Sequence, residues 1–408
     1  MSDRHDLIAS MAVGSGDAVV NRALKAIRAH LAMDVAYVSQ FVGDNMVLRK
    51  VDAPGQEALA KAGDVHSLND TYCRDILAGR LPELMADTAL EPVAAAKPIT
   101  QALPIGRHMS VPIRLEDGSV YGMFCCLGFT PDPSLRERDL QMMRAFADLA
   151  GYEISREVEA EKLQNETRSR VITAMSEDVF DIVYQPIVDA KEGRLIGFES
   201  LSRFRTGSPD VWFADAAGVG LGVELELAAI GKALGALALL PNSVYLAVNA
   251  SPDTILSGQL NEILAGLPLD RIVLEVTEHS TVSDYDALSA ALNAWRAQGV
   301  RLAVDDAGAG YSSLRHILAL QPDLIKLDMS LTRNICLDPA RKALAAALIG
   351  FARETGSHII AEGVETEAEL VTLRQLGVEK LQGYFLGRPM SLAASVRVCP
   401  TPAATRAI

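Results

Sequence analysis

Between residues 180 and 387 the chain repeats one pattern, a short apolar run followed by a longer amphipathic stretch. The runs are 180-FDIVYQPIV-188, 195-LIGFESLSRF-204, 244-VYLAVNAS-251, 272-IVLEVTE-278, 301-RLAVDDAG-308, 323-DLIKLD-328, 358-HIIAEGV-364 and 380-KLQGYFLG-387. Strand-like runs alternating with helical stretches specify an α/β domain with a mainly parallel sheet. One intervening helix is well punctuated, with Asp338 as N-cap, Pro339 in the first turn and Gly356 just past the end. Eight strands in about 220 residues predict a (β/α)8, TIM-like barrel.

Polar residues then fall into register. Glu199, Asn249, Glu275, Asp305 with Asp306, Lys326, Glu362 and Gln382 each sit toward the C-terminal end of a different predicted strand. That end is where barrels of this class build their active sites. Five of these side chains are carboxylates and two are amides, with no neighbouring His or Cys cluster. Hard oxygen ligands favour Mg²⁺ or Mn²⁺ over zinc. Adjacent acids such as Asp305 and Asp306 repel unless cations lie between them, so two divalent ions are expected, with Asp305 able to bridge. A two-metal site suits in-line phosphoryl displacement. Lys326 adds a fixed cation for the water or the developing charge, and Arg203 is suited to a phosphate. The expected chemistry is metal-dependent hydrolysis of a phosphodiester or phosphomonoester.

Composition narrows the partners. A formal net charge of −14 over 408 residues argues against a nucleic-acid polymer as ligand. The five cysteines form no CxxC pattern, which fits a reducing cytoplasm. The first residues lack a signal-peptide core, and no apolar window is long enough to span a bilayer. A soluble, cytoplasmic protein without membrane attachment is expected. From Arg144 to Asp178 apolar residues recur at helical spacing among charges. This stretch reads as a connecting helix that pairs with its twin in a homodimer, or as a plain final helix followed by a linker.

The second half resembles the EAL domain, the family of cyclic di-GMP phosphodiesterases. The matching segments are 184-YQPI-187, 197-GFESLSR-203, 248-VNAS-251, 274-LEVTE-278, 305-DDAGAGYSSL-314, 323-DLIKLD-328, 361-AEGVE-365 and 382-QGYFLGRP-389. The resemblance implies a barrel enzyme that linearises cyclic di-GMP to 5′-pGpG with two Mg²⁺ or Mn²⁺ ions. It implies Glu199, Asn249, Glu275, Asp305, Asp306 and Glu362 as metal ligands, with Lys326, Glu362 and Asp306 as the catalytic groups. Gln185, Leu201, Arg203 and Gln382 would serve the substrate, Gln382 also supporting the metal–water network. Glu278 would anchor the loop after Asp306, and Glu365 would shape the rim. Ser200 stands where the family signature has alanine. Ala307 and Ala309 stand where the loop more typically reads DDFGTG, so the loop loses a bulky apolar anchor. The alternative is a weak or inactive cyclic di-GMP receptor that signals through a dimer.

The first half reads as an α+β unit. It has a helix from Ala18 to Leu31, strands at 35–41 and 46–51, a hairpin turning at 117-DGS-119 and a closing helix from about Leu135. An antiparallel sheet with helices on one face is predicted. In TYC, VPIRLEDGSVYGMFCC and RERDLQMMRAFADLA it resembles a GAF domain. The resemblance implies a sensory domain that modulates the barrel, with no ligand identified. Cys73, Cys125 and Cys126 read as small buried residues, and His66 and His108 as ordinary surface or core histidines. The expected organisation is 1–155 GAF-like, 156–176 connecting helix, 177–400 barrel and 401–408 tail.

Overall fold

The computed structural model describes residues 16–176, 179–276, 282, 284–307 and 311–399. The chain divides into two compact units, Met1–Leu163 and Gln164–Ile408.

The first unit opens with helix α1 (Gly16–His30). Its strands are β1 (Val35–Val42), β2 (Asn45–Asp52), β3 (Val65–Ser67), β4 (Leu84–Met85), β5 (Arg107–Arg114) and β6 (Val120–Gly128). They form one antiparallel sheet in the order β3-β2-β1-β6-β5-β4. The β5–β6 hairpin turns at Asp117–Ser119, where the Asp117 carboxylate accepts from Ser119 N at 2.9 Å and Gly118 takes φ 82°. The expectation of helices on one face needs correction, because both faces are covered. Ala36, Val38 and Cys126 pack with Leu24 and Ile27 of α1 and with Met143 and Phe146 of helix α2 (Glu137–Ser176). Val35, Tyr37 and Cys125 pack against Tyr72, Cys73, Ile76 and Ala94 from the short helices of the 70–102 segment. The cause is visible in β1, whose first residues are apolar on both parities, so each face of the sheet needs a cover.

The second unit is a closed eight-stranded barrel. Its strands are β7 (Phe180–Asp189), β8 (Leu195–Phe204), β9 (Tyr245–Asn249), β10 (Ile272–Val276), β11 (Arg301–Ala307), β12 (Leu324–Leu327), β13 (His358–Ala361) and β14 (Lys380–Gln382). They close in the order β10-β11-β12-β13-β14-β7-β8-β9. The barrel is not all parallel, because β7 pairs antiparallel with both β8 and β14. Only Ala190–Arg194 joins β7 to β8, a tight turn in which Asp189 accepts from Lys191 N and Glu192 N. A parallel crossover needs a dozen or more residues, so this connection can only make a hairpin. The helix after Asp338 has the caps expected for it. The Asp338 side chain accepts from Ala340 N and Arg341 N, and Gly356 closes the helix at φ 76°. Among the described residues no helix is long and apolar enough to cross a membrane.

Candidate active site

Strand β12 alternates strictly. Ile325 and Leu327 face an outer core with Leu331 and Ile349, while Leu324 packs inside the barrel with Ile187, Tyr245, Ala247, Val273, Ala303 and Ile360. Period-2 geometry then turns Lys326 inward, above this apolar floor. Its ammonium meets four carboxylates: Glu362 Oε1 at 2.7 Å, Glu275 Oε2 at 2.9 Å, Asp305 Oδ2 at 3.0 Å and Glu199 Oε1 at 3.3 Å. Burial alone would lower the Lys326 pKa. Asp305, Glu199, Glu275 and Glu362 outweigh it and hold the ammonium well above its ordinary value. Burial pushes Glu275 up to about 8 against the pull of Lys326, with repulsion from Glu199 and Asp305 adding to the rise. Burial likewise raises Glu362. Four acids share one cation, so the cluster is short of positive charge.

The two aspartates at the end of β11 reach one site because the strand breaks its alternation there. Asp306 adopts φ 56°, and the ladder to β12 is irregular between Val304 and Ala307. Aspartate is one of the few residues that tolerates this left-handed region. The turn lets Asp306 N donate to Asp305 Oδ1 at 2.8 Å. It also gathers Asp305, Asp306 and Glu362, whose ligand oxygens lie within 4.8 Å of one another; Glu199, Glu275 and Asp305 form a second such group. Asp305 belongs to both. Glu275 Oε1 is buried with no hydrogen-bond partner among the described residues. An all-oxygen donor set, a surplus of negative charge and an unsatisfied buried oxygen fit hard divalent cations.

Beside the carboxylates lies a cavity of about 540 Å³, lined by Leu201, Arg203, Asn249 and Asp305 among others. Asn249, at the exposed end of β9, and Arg203, near the end of β8, both face it. Gln382 is buried and donates to Glu199 Oε2, so it stands among the acids rather than on the cavity wall. Gln185, paired with Glu199 across β7 and β8, donates to the Gly387 carbonyl at 3.5 Å. Ser200 lines the cavity, and Glu365 pairs with Arg333 at 3.1 Å. Glu278 lies outside the described residues.

Among the cavity residues that sequence reasoning missed are Asp210, Phe213 and Glu226. Glu226 Oε2 accepts from Ser251 N at 2.9 Å and from Thr254 Oγ1 at 2.6 Å, which fixes the segment just after Asn249. A carboxylate on the apolar face of the helix Gly222–Leu234 was the signal available for it. In the first unit Cys73, Cys125 and Cys126 are free and buried. Cys73 Sγ lies 3.4 Å from Met46 Sδ, and Ser110 Oγ lies 3.0 Å from Cys125 Sγ. His66 and His108 line a small cavity with Tyr72 and Cys73.

Comparison with known proteins gives two family matches, the EAL domain over residues 168–389 and the GAF domain over residues 15–154. An uncharacterized signaling protein of Caulobacter vibrioides is 28% identical over 374 residues, covering 88% of this chain and 42% of its own length. A cyclic di-GMP phosphodiesterase of Pseudomonas aeruginosa is 32% identical over 230 residues, covering 53% of this chain and 39% of its own. The chain thus spans less than half the length of these curated relatives. Among solved structures, the PaMucR phosphodiesterase in its c-di-GMP complex aligns at 29% identity with a TM-score of 0.51, covering 56% of this chain and 99% of that one.

Proposed function

The chain belongs to the EAL domain family and carries a GAF domain ahead of the barrel, and from that premise we propose that it hydrolyses cyclic di-GMP to 5′-pGpG. The observation that carries this reading is the pair of carboxylate groups sharing Asp305, built around Lys326 and opening on the cavity that Arg203 lines.

In this reading Glu199, Asn249, Glu275, Asp305, Asp306 and Glu362 would hold two Mg²⁺ or Mn²⁺ ions. Such ions, when bound, supply Lewis acidity and a water of lowered pKa. Lys326 holds Glu199, Glu275, Asp305 and Glu362 at a spacing their mutual repulsion opposes, and supplies a fixed positive charge among them. Gln382 orients Glu199 through the hydrogen bond to Oε2. Arg203 holds a phosphate of the dinucleotide at the cavity mouth, and Leu201 gives apolar contact to the ligand. Glu226 keeps the Asn249 loop in place through Ser251 and Thr254. We assign residues 1–155 to the GAF domain, 156–176 to the connecting helix and 177–400 to the barrel. The GAF domain would modulate hydrolysis, with the chain acting as a homodimer in the cytoplasm.

The test is incubation of the purified chain with cyclic di-GMP and Mg²⁺ or Mn²⁺, with products resolved by chromatography. The expected product is pGpG, lost in EDTA and in Glu199→Ala. Full turnover in excess EDTA would rule the reading out.

A further inference from the structure

The last turns of α2 bury Val171 and Ala174 in the barrel core and are fastened beside them by two arginines. Arg168 Nη1 donates to the Val219 carbonyl at 2.8 Å, and Arg170 forms an ion pair with Asp215. The Arg170 guanidinium also lies over Trp212, 4.9 Å from the ring centroid. Asp215 and Trp212 belong to helix α3 (Pro209–Gly218), and Val219 is its C-cap.

That helix has a second role, because Pro209, Asp210 and Phe213 line the cavity beside the carboxylates. The contacts continue inward through aromatic rings. Trp212 stacks on Phe204 with centroids 4.8 Å apart and planes 8° apart. Phe204 meets Phe213 edge-on at 6.0 Å. Phe204 is the last residue of β8, next to Arg203 and on the strand that carries Glu199 and Leu201. Trp212 Nε1 donates to the Thr206 carbonyl at 2.6 Å, which ties the loop after β8 to the same ring. Arg170 does not touch the cavity, but two layers of rings lead from it to the wall.

We propose that Arg170 is a positioning residue: by clamping Trp212 and Asp215 it sets where α3 and the end of β8 stand, and so couples the connecting helix to substrate affinity. The proposal rests on the hydrolysis of cyclic di-GMP argued above. The clamp is modest, since the side chains of Arg170 and Asp215 are 52% and 34% exposed and lone surface ion pairs contribute little. The cation over the indole adds to it. The affected step is binding, because the carboxylate cluster is held separately by Lys326.

Arg170→Ala should raise KM about fivefold and leave kcat within about twofold, the pattern for lost uniform binding. Arg170→Lys, which keeps a cation over the ring, should recover part of the KM. Asp215→Ala should act in the same direction, and the double variant should lose less than the product of the two single effects. Amide hydrogen exchange across residues 209–218 should quicken in Arg170→Ala and stay at the parent rate in β9 to β13. An unchanged KM, or a fall in kcat as large as the change in KM, would overturn the proposal. A parent chain that turns over no cyclic di-GMP sinks the hydrolase reading instead. The clamp then stands or falls on exchange across 209–218, and exchange equal to the parent's overturns it.

Discussion

Lys326 is fully buried and tolerable there only because acids surround it. Removing it takes away a preorganised cation and leaves the carboxylates facing one another. Lys326→Met, close in shape and without charge, should therefore lower kcat by about 10²-fold or more. It should also cost about 3–5 kcal/mol of stability in EDTA, the scale for breaking a buried pair. Mn²⁺ should raise the melting temperature of this variant more than that of the parent, because the ion replaces the missing charge. Equal melting temperatures of variant and parent in EDTA would contradict the assignment. His108 in the first unit gives a second test at this scale. It is 2% exposed, its Nδ1 has no hydrogen-bond partner among the described residues, and burial lowers its pKa to about 3. The folded chain thus keeps the ring neutral at pH 5, where the unfolded chain, titrating near the ordinary histidine value of about 6.5, is protonated. Stability is full above that unfolded value and falls as pH drops from about 6.5 toward 3, by about 2 kcal/mol at pH 5. Denaturant titrations of the first unit's transition at pH 7 and pH 5 should show that loss. In His108→Phe the loss should shrink by about the same amount.

At the scale of elements, what the sequence made legible follows from how strands end. A buried parallel strand is mostly apolar until it leaves the sheet, so Asn249 and Glu362, at or just past the ends of β9 and β13, mark the barrel rim in plain text. Lys326 and Glu199 differ, lying within their ladders, Lys326 level with Ile360 of β13 and Glu199 level with Ala247 of β9. The reversal of β7 was also written in the chain, since 189-DAKEGRL-195 leaves no room for a helix, but counting strands does not reveal direction. The left-handed turn at Asp306 was hidden, because a non-glycine residue in that region leaves no mark in the sequence. The convergence of four acids on one lysine was hidden too, since it depends on barrel closure rather than on any local pattern. Ala307 stands where the resemblance puts a bulky apolar anchor, and the loop it would anchor lies outside the described residues. Ala307 itself is fully buried, clustered with Ile317, Ile325, Leu327 and Leu331, and its carbonyl accepts from Asp328 N at 3.3 Å. A ring at this position has to displace packed side chains. Ala307→Phe should therefore destabilise the barrel by about 1–3 kcal/mol, the usual range for overpacking. A calorimetric melting temperature above the parent's would show that the space exists after all.

For the whole molecule the question is whether one unit can change without unfolding the other, and the cores answer it. The two apolar clusters of the first unit contain no residue beyond Ile154, and the three of the barrel begin no earlier than Val171. Between them, every residue of α2 from Arg156 to Glu166 is exposed. A helical stretch that buries no side chain is held by its own hydrogen bonds and its two ends, with no core of its own. Cooperativity follows shared burial, so the two cores should melt as separate transitions and the two-state description should fail for the full chain. Single truncations can assign each transition. Phe124 and Phe198 are both fully buried, one in each unit, and Phe→Ala in a core costs about 3–5 kcal/mol. Phe124→Ala should lower only one calorimetric peak, and Phe198→Ala only the other. If the cores are independent, the fragment 164–408 should also fold and hydrolyse cyclic di-GMP. The ratio of its rate to that of the full chain then measures what the GAF domain contributes through the helix. One peak that both substitutions shift equally would mean that the units unfold together, and the connecting helix could then transmit strain but not act as a separable relay.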